Sequence, residues 1–433
     1  MYRLPLPAKE GQPFFCARNP DLRRPMKPKL LATALLITLT AAQSFGQGAL
    51  TPPPGPPAPT MKTLDQIEPR TIVNAANTPG DATNTFIISA PGSYYFAGNI
   101  TGEAGKHGIS IQANDVTLDL SGFALVSGGG GAFRGVNIPA VQNGFTIRNG
   151  TVRGWTDGGV RTDFATSTLA EKLRLINNTG AWGLAVAGGS ARDCVASGNG
   201  TGFVLGNGAR ISDCAATGNV TGFFLSDRSH ASNCISTINT GVGFDCTSFV
   251  TLIDCTASRN SQSGIVALAS CSIIRCTATR NLPFGYGILA GPGCTVADCT
   301  VGANGLNGIQ VETGSTVRGC TSRANSSRGI AALGGDCFIT GNNCTLNDSG
   351  IIVDSLSLFG VSGNRNRIED NTCNANSSHG FLINGFKNFV IRNNASGNGT
   401  AYAIPAGNAA GPVIDMSAGG TITSTNPWAN FIH

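Results

Sequence analysis

DCVASGNGTGFVLGNGARIS, residues 193–212, is followed without a break by DCAATGNVTGFFLSDRSHAS, residues 213–232. Aligned, the two blocks place Cys194 over Cys214, Asn199 over Asn219, Gly202 over Gly222 and Phe203 over Phe223. The same beat runs on through Gly183, Gly202, Gly222, Gly243, Gly264, Gly287, Gly308, Gly329, Gly350 and Gly380. A cysteine row keeps time with it (Cys194, Cys214, Cys234, Cys255, Cys276, Cys299, Cys320, Cys344, Cys373), as does an asparagine row from Asn178 and Asn199 through Asn376 to Asn398. One unit reads Asn-x-x-Gly-Phe/Ile-x-Leu/Val, a variable turn, then Val/Ile-x-Asp/Gly-Cys-x-Ala/Ser.

A unit of about 20 residues is too short for a helical hairpin, and its apolar residues alternate with period two, so its segments are strands. Three short strands joined by turns close one coil of a solenoid. Coils stacked about 4.8 Å apart bury each inward side chain against its counterparts above and below. The expected fold is all-β, a single-stranded parallel β-helix with about 20 to 23 residues per coil.

A solenoid lengthens by adding coils, so 433 residues need only one folded domain, and charged residues at 12% with 59 glycines exclude a coiled coil or helical bundle. The net charge of +5 comes wholly from residues 1–30, which hold seven basic and two acidic residues; beyond them the counts are 22 and 22. A neutral mature chain is expected to lack the basic stripe that nucleic acid or an anionic membrane would require. Leu30 to Ala42 has the length of a signal-peptide core, follows Lys27 and Lys29, and precedes small residues suited to cleavage near Ala42 or Gly46. It is too short to span a bilayer. Met26 is a plausible alternative start. The expected organisation is an export region over 1–46, a proline-rich spacer over 47–84, the β-helix over 85–415 and a tail or cap over 416–433.

Fourteen cysteines in an exported chain suggest disulfides, yet the periodicity opposes pairing. If the nine periodic cysteines share one inward position, stacking holds their Cβ atoms near 4.8 Å, wider than the roughly 3.8 Å that disulfides favour. They read as small buried hydrophobes. Cys271, Cys294 and Cys337 in the variable turns, and Cys246, lie outside that argument. The asparagines fall at turns where their amides can bond to the next coil, forming a structural ladder.

These features, with Gly108-Ile109-Ser110-Ile111, Val116-Thr117-Leu118-Asp119-Leu120-Ser121-Gly122-Phe123 and Phe145-Thr146-Ile147-Arg148-Asn149-Gly150-Thr151-Val152, resemble the secreted right-handed parallel β-helix repeat proteins of the pectate-lyase-like superfamily. The resemblance implies a right-handed coil and a polysaccharide partner. It carries no catalytic signature across: Trp-x-Asp-His, Arg-x-Pro-x-x-Arg, paired Asp-Asp with Gly-His-Gly, and Asp-Pro-His-Glu do not map, and Ser378-His379-Gly380 is a partial echo of one of them.

On the glycine strand the residue after Gly points inward, so the second and fourth after it point out. The first outward row (Val204, Phe224, Asp245, Val266, Leu289, Gln310, Ala331, Ile352, Leu382) is mostly apolar, a stripe to be covered by a partner chain as a homo-oligomer contact, by a sugar's flat face, or by the spacer or the tail, which carries Trp428 and Phe431. The second row brings Glu312 and Asp354 to positions two coils apart, about 10 Å, near Arg328 and His379. These four form the candidate catalytic group. Asp193, Asp213, Asp254 and Asp298, each just before a cysteine, form a candidate calcium row; no other cofactor is implied. The leading expectation is an exported, non-catalytic binding or scaffold module for polysaccharide at the cell surface or in the periplasm. A polysaccharide lyase or glycoside hydrolase working through those four residues is one alternative, and an oligomeric adhesin or fibre segment is another.

Overall fold

The computed structural model describes residues 68–162, 165–354 and 363–433, so the expected export region and most of the proline-rich spacer lie outside the described residues. Within the unit from Lys62 to His433, the described residues form a parallel β-solenoid. Each regular coil contributes three strands, as in Thr201–Leu205, Arg210–Ser212 and Ala215–Thr217, and each pairs in parallel with its counterparts in the coils before and after. Fifteen glycine strands, from Asn84–Ile88 to Thr400–Ala403, make one continuous sheet. The second and third strands of the coils form a single sheet of 30, because Thr146–Arg153 and Thr168–Ile176 run through the corner that separates them elsewhere.

The corners explain the period. Each regular coil places three residues in the left-handed region, for instance Gly208 (φ 71°), Asp213 (φ 56°) and Gly218 (φ 63°), followed one coil on by Arg228 (φ 60°), Asn233 (φ 52°) and Ile238 (φ 56°). A single left-handed residue turns the strand sharply and sends its successor inward: Ala209, Cys214 and Asn219 are all buried. The left-handed residue therefore precedes each asparagine rather than being the asparagine itself.

The asparagine ladder is continuous. Asn199 Oδ1 accepts the backbone N–H of Asn178 (2.9 Å) and its side-chain amide (3.0 Å), and Asn199 Nδ2 donates to Leu175 O (2.9 Å) and to Asn219 Oδ1 (2.9 Å). The same bonds recur down to Asn398. This ladder also dictates the glycines. A Cβ on Gly202 would stand 2.6 Å from Gly222 O and 3.0 Å from Asn219 Nδ2, and one on Gly264 would stand 2.6 Å from Asn281 Nδ2, so any side chain there collides with the next coil's amide.

The cysteines need one correction. Seven of them, Cys194 to Cys320, share a position, with Cys194 N donating to Cys214 Sγ at 3.3 Å. After Cys320 that position passes to asparagine: Cys320 N donates to Asn342 Oδ1 (2.9 Å), and the chain of amides continues through Asn371 and Asn393 to Asn430. Cys344 and Cys373 instead sit on the third strand, in register with Ser322 and Ala395. Counting every Cys on the beat hid this two-residue shift. Cys271, Cys294 and Cys337 follow the left-handed residue of the remaining corner. All thirteen described cysteines are buried and unpaired.

Phe203, Phe223 and Phe244 stack inside, with ring centroids 5.0 and 4.7 Å apart and interplanar angles of 17° and 10°. The tail does not cover the apolar stripe. Asn430–Ile432 pairs with Asn394–Ser396 as part of the last coil, and Trp428 packs edge-on against Phe389.

Candidate functional site

The glycine-strand sheet presents three outward ranks: the residue before Gly, and the second and fourth after it. In the C-terminal third, backbone register aligns Glu312, Leu333, Asp354 and Asn384 on successive coils: Leu333 N bonds Val311 O, Asp354 N bonds Ala332 O and Asn384 N bonds Val353 O. The expected group is assembled only in part. Arg328 Nη2 lies 3.5 Å from Asp354 Oδ2, an ion pair whose side chains are each 30% exposed. Glu312 stands two coils from Asp354 with Leu333, 6% exposed, between them in the rank. His379 is joined at Nδ1 to Ser378 Oγ, 2.8 Å away. Arg328 N also donates to Asn307 Oδ1 (3.1 Å), and Asn307 Nδ2 donates to Gln310 Oε1 (2.9 Å), so the rank before the glycines is tied to the first outward row.

A second polar group lies at the other end of the same face, and sequence reasoning missed it. Arg134 Nη2 pairs with Asp157 Oδ2 (2.7 Å), Arg134 Nη1 donates to Asn137 Oδ1 (3.0 Å), and Arg134 N donates to His107 Nδ1 (3.0 Å). Burial, and then the Arg134 charge, hold the His107 imidazole below its ordinary value. One coil further on, the Arg161 guanidinium lies 5.8 Å from the centre of the Trp182 ring. The signal was available: register carries the glycine row back from Gly183 to Gly159, Gly135 and Gly108, but insertions lengthen those coils beyond the regular beat.

Between these groups runs the half-buried apolar stripe of Val204, Phe224, Val266 and Leu289. It encloses Asp245, in register with Phe224 and Val266, and burial raises that carboxyl above its usual range. An open groove of about 290 Å³ lies at the stripe's N-terminal end, lined by Trp182, Ala185, Val186, Ala187, Val204 and Gly206.

The row expected to hold calcium is exposed, and each member is a corner residue in left-handed conformation: Asp193 (φ 54°), Asp213 (φ 56°), Asp254 (φ 55°) and Asp298 (φ 56°). Asp254 pairs with Arg275 at 2.8 Å, Asp298 with Arg318 at 3.7 Å, and Asp213 accepts from Asn233 Nδ2 at 3.3 Å. Among the described residues no three His, Cys, Asp or Glu side chains are grouped to hold a metal ion. Aspartate suits this corner because its short side chain tolerates left-handed backbone.

A family profile for the right handed beta helix region matches residues 269–427. Over its described residues the chain is a right-handed parallel β-helix. The resemblance read from the sequence therefore holds at the level of the fold. Solved structures similar to this β-helix include the A-module of a mannuronan C-5 epimerase from Azotobacter vinelandii, with 16% identity, coverage of 74% of this chain and 91% of that one, and a TM-score of 0.38. A double mutant of a periplasmic alginate epimerase shares 13% identity over 77% of this chain and 84% of its own (TM-score 0.44), and the Dettilon tailspike protein 13% over 78% and 61% (TM-score 0.33). Likeness at this level says nothing about chemistry. No curated protein matches the sequence. Among the described residues no helix is long and apolar enough to cross a membrane.

Proposed function

We propose that this β-helix is an exported, non-catalytic module that binds polysaccharide at the cell surface or in the periplasm, along the outward face of its glycine strands. The observation that carries the reading is the groove beside Trp182. It has one aromatic wall, a floor of small apolar residues, and room left by the missing side chain of Gly206. A sugar ring offers an apolar C–H face to such a wall and hydroxyls to flanking polar groups. Those groups stand at both ends of the face, with Arg161, Arg134 and Asn137 on one side and Asn307, Gln310 and Arg328 on the other. The sheet is continuous from one group to the other, so a long polymer meets one rigid surface.

Affinity electrophoresis through gels containing a panel of soluble polysaccharides, with product release followed in parallel, tests this. Retardation by at least one polymer is expected without cleavage, and Trp182→Ala is expected to weaken it about tenfold, the scale of one lost ring contact. Unchanged retardation of the variant overturns the site, and release of cleaved product overturns the non-catalytic role.

The second reading, a lyase or hydrolase, is favoured by the meeting of Arg328 with Asp354. Under it Asp354→Asn abolishes turnover with little change in melting temperature, since a carboxylate at the reacting centre contributes several powers of ten in rate. Cleavage that survives Asp354→Asn moves the catalytic groups elsewhere.

A further inference from the structure

The corner that carries the asparagine ladder, together with the outer face of the third strand beside it, presents a surface unlike the rest of the coil. Across the four coils from Asn219 to Asn281 it exposes Val220 (58%), Ile238 (56%), Leu282 (48%) and Phe284 (78%), and Phe284 is the most exposed of the large hydrophobic residues described. Arg259 and Arg280 occupy adjacent coils of the same corner, and Arg323 stands on the neighbouring strand. All three are exposed, and none forms an ion pair among the described residues, whereas Arg275, Arg318, Arg365 and Arg392 do. No Asp or Glu stands on this strand or corner between Ala215 and Ser326. The carboxylates of those coils, Asp227, Asp245, Asp254, Asp298 and Glu312, fall on other corners or on the glycine strand.

The folding of the coil does not require these side chains. Gly198, Gly218 and Gly397 fill the equivalent left-handed position elsewhere, yet Ile238 holds it at φ 56°. A β-branched residue is strained there and gains no burial at 56% exposure. Two adjacent, unneutralised arginines at a strand spacing of about 4.8 Å likewise repel one another. Beside them Gly302 leaves a depression of about 330 Å³ among Thr279, Thr300 and Thr321, flanked by Arg280 and Arg323.

We infer that this corner docks the β-helix onto a bilayer surface bearing anionic phospholipid, a role separate from that of the glycine-strand site, whose strands the corner leads into. Phe284, Leu282, Ile238 and Val220 enter the interface, while the arginines and the threonine-lined depression take headgroup phosphates. A corner tipped by an exposed aromatic and aliphatic side chains suits insertion among acyl chains, and the depression beside it, flanked by two arginines and lined by hydroxyls, suits a phosphate; no aromatic side chain lines it to stack on a sugar ring. The asparagine ladder beneath fixes the corner, so little ordering is lost on docking. The charge balance of the whole chain hides this surface, because acid and base are separated around the coil rather than along the sequence.

Co-sedimentation of the full chain with phosphatidylcholine vesicles, with and without phosphatidylglycerol, tests the inference. Binding is expected to rise with the anionic lipid and to weaken with salt. The triple variant Arg259→Gln, Arg280→Gln, Arg323→Gln is expected to lose about 10²-fold in partition, at about fivefold per arginine. Both proteins carry the same N-terminal region, so their difference reports this corner. Phe284→Trp provides an independent readout, with a blue-shifted emission expected only on anionic vesicles. Equal binding of wild type and triple variant, no spectral shift, or binding to soluble anionic polysaccharide in place of vesicles each overturns it. Loss of polysaccharide binding alone bears on the glycine-strand proposal and leaves this one intact.

Discussion

Replacing Asn260 by alanine isolates what the ladder contributes. Asn260 Oδ1 accepts from Asn239 N (3.1 Å) and Asn239 Nδ2 (2.9 Å), and Asn260 Nδ2 donates to Ser236 O (3.3 Å) and Asn281 Oδ1 (3.0 Å). All four bonds are buried, and the variant loses them together. At about 1 kcal/mol net for each, the loss is about 4 kcal/mol, and the Asn239 N–H stranded without a partner pushes it upward. The small side chain also leaves a void that neighbouring coils cannot close without breaking register. Because a solenoid is held coil to coil, the lesion is local and unfolding need not be two-state. The assay is therefore a urea midpoint together with hydrogen exchange at the Asn239 amide, using exposed Asn207→Ala as a control expected to shift stability by under about 0.5 kcal/mol. A loss below about 1 kcal/mol with the Asn239 amide still protected would refute the claim that the ladder fastens the coils.

Phe223→Ala is expected to cost about 3 to 5 kcal/mol because it opens the stack with Phe203 and Phe244, and Phe224→Ala on the outward row much less; similar urea midpoints would mean that inside and outside are misassigned. Thiol titration is expected to find the thirteen described cysteines unreactive when folded and free once the chain is unfolded without reductant; missing thiols after unfolding would show pairing. Burial raises the Asp245 carboxyl, so between its unfolded and folded values the native state holds the extra proton and stability falls as pH rises through that window. Asp245→Asn is accordingly expected to raise the melting temperature at neutral pH and to lose that advantage below the ordinary carboxylate range, and equal effects at both would assign the change to packing.

The strands, their inward residues and the structural role of Asn199 and its counterparts were readable because each coil repeats one environment, so a physical requirement appears as a period. The reason for the glycines was not readable. Gly202 looks like a flexible residue until the next coil's Asn219 amide is seen where its Cβ would be. The shift that moves Cys344 and Cys373 one strand onward was likewise hidden, since asparagine and cysteine fill the same small corner as acceptors of a backbone N–H, and spacing alone cannot tell them apart. The sites were least accessible. His107, Arg134 and Trp182 share ranks with residues far along the chain only because unequal insertions cancel in the stacked register.

Sequence by itself determined the coil, its period and its buried ladders, because these follow from contacts between equivalent positions about 20 residues apart. Only the tertiary structure decided where charge lies. A chain with 22 basic and 22 acidic residues beyond residue 30 is neutral along its length. Winding it into coils assigns each residue to a face, placing Asp254 and Asp298 on one corner beside their arginine partners and leaving Arg259 and Arg280 on another, and Arg323 on the strand beside it, with no ion-pair partner among the described residues. Electrostatic attraction falls off within about 8 Å in physiological salt, so a partner meets the charge of one face and not the sum over the chain.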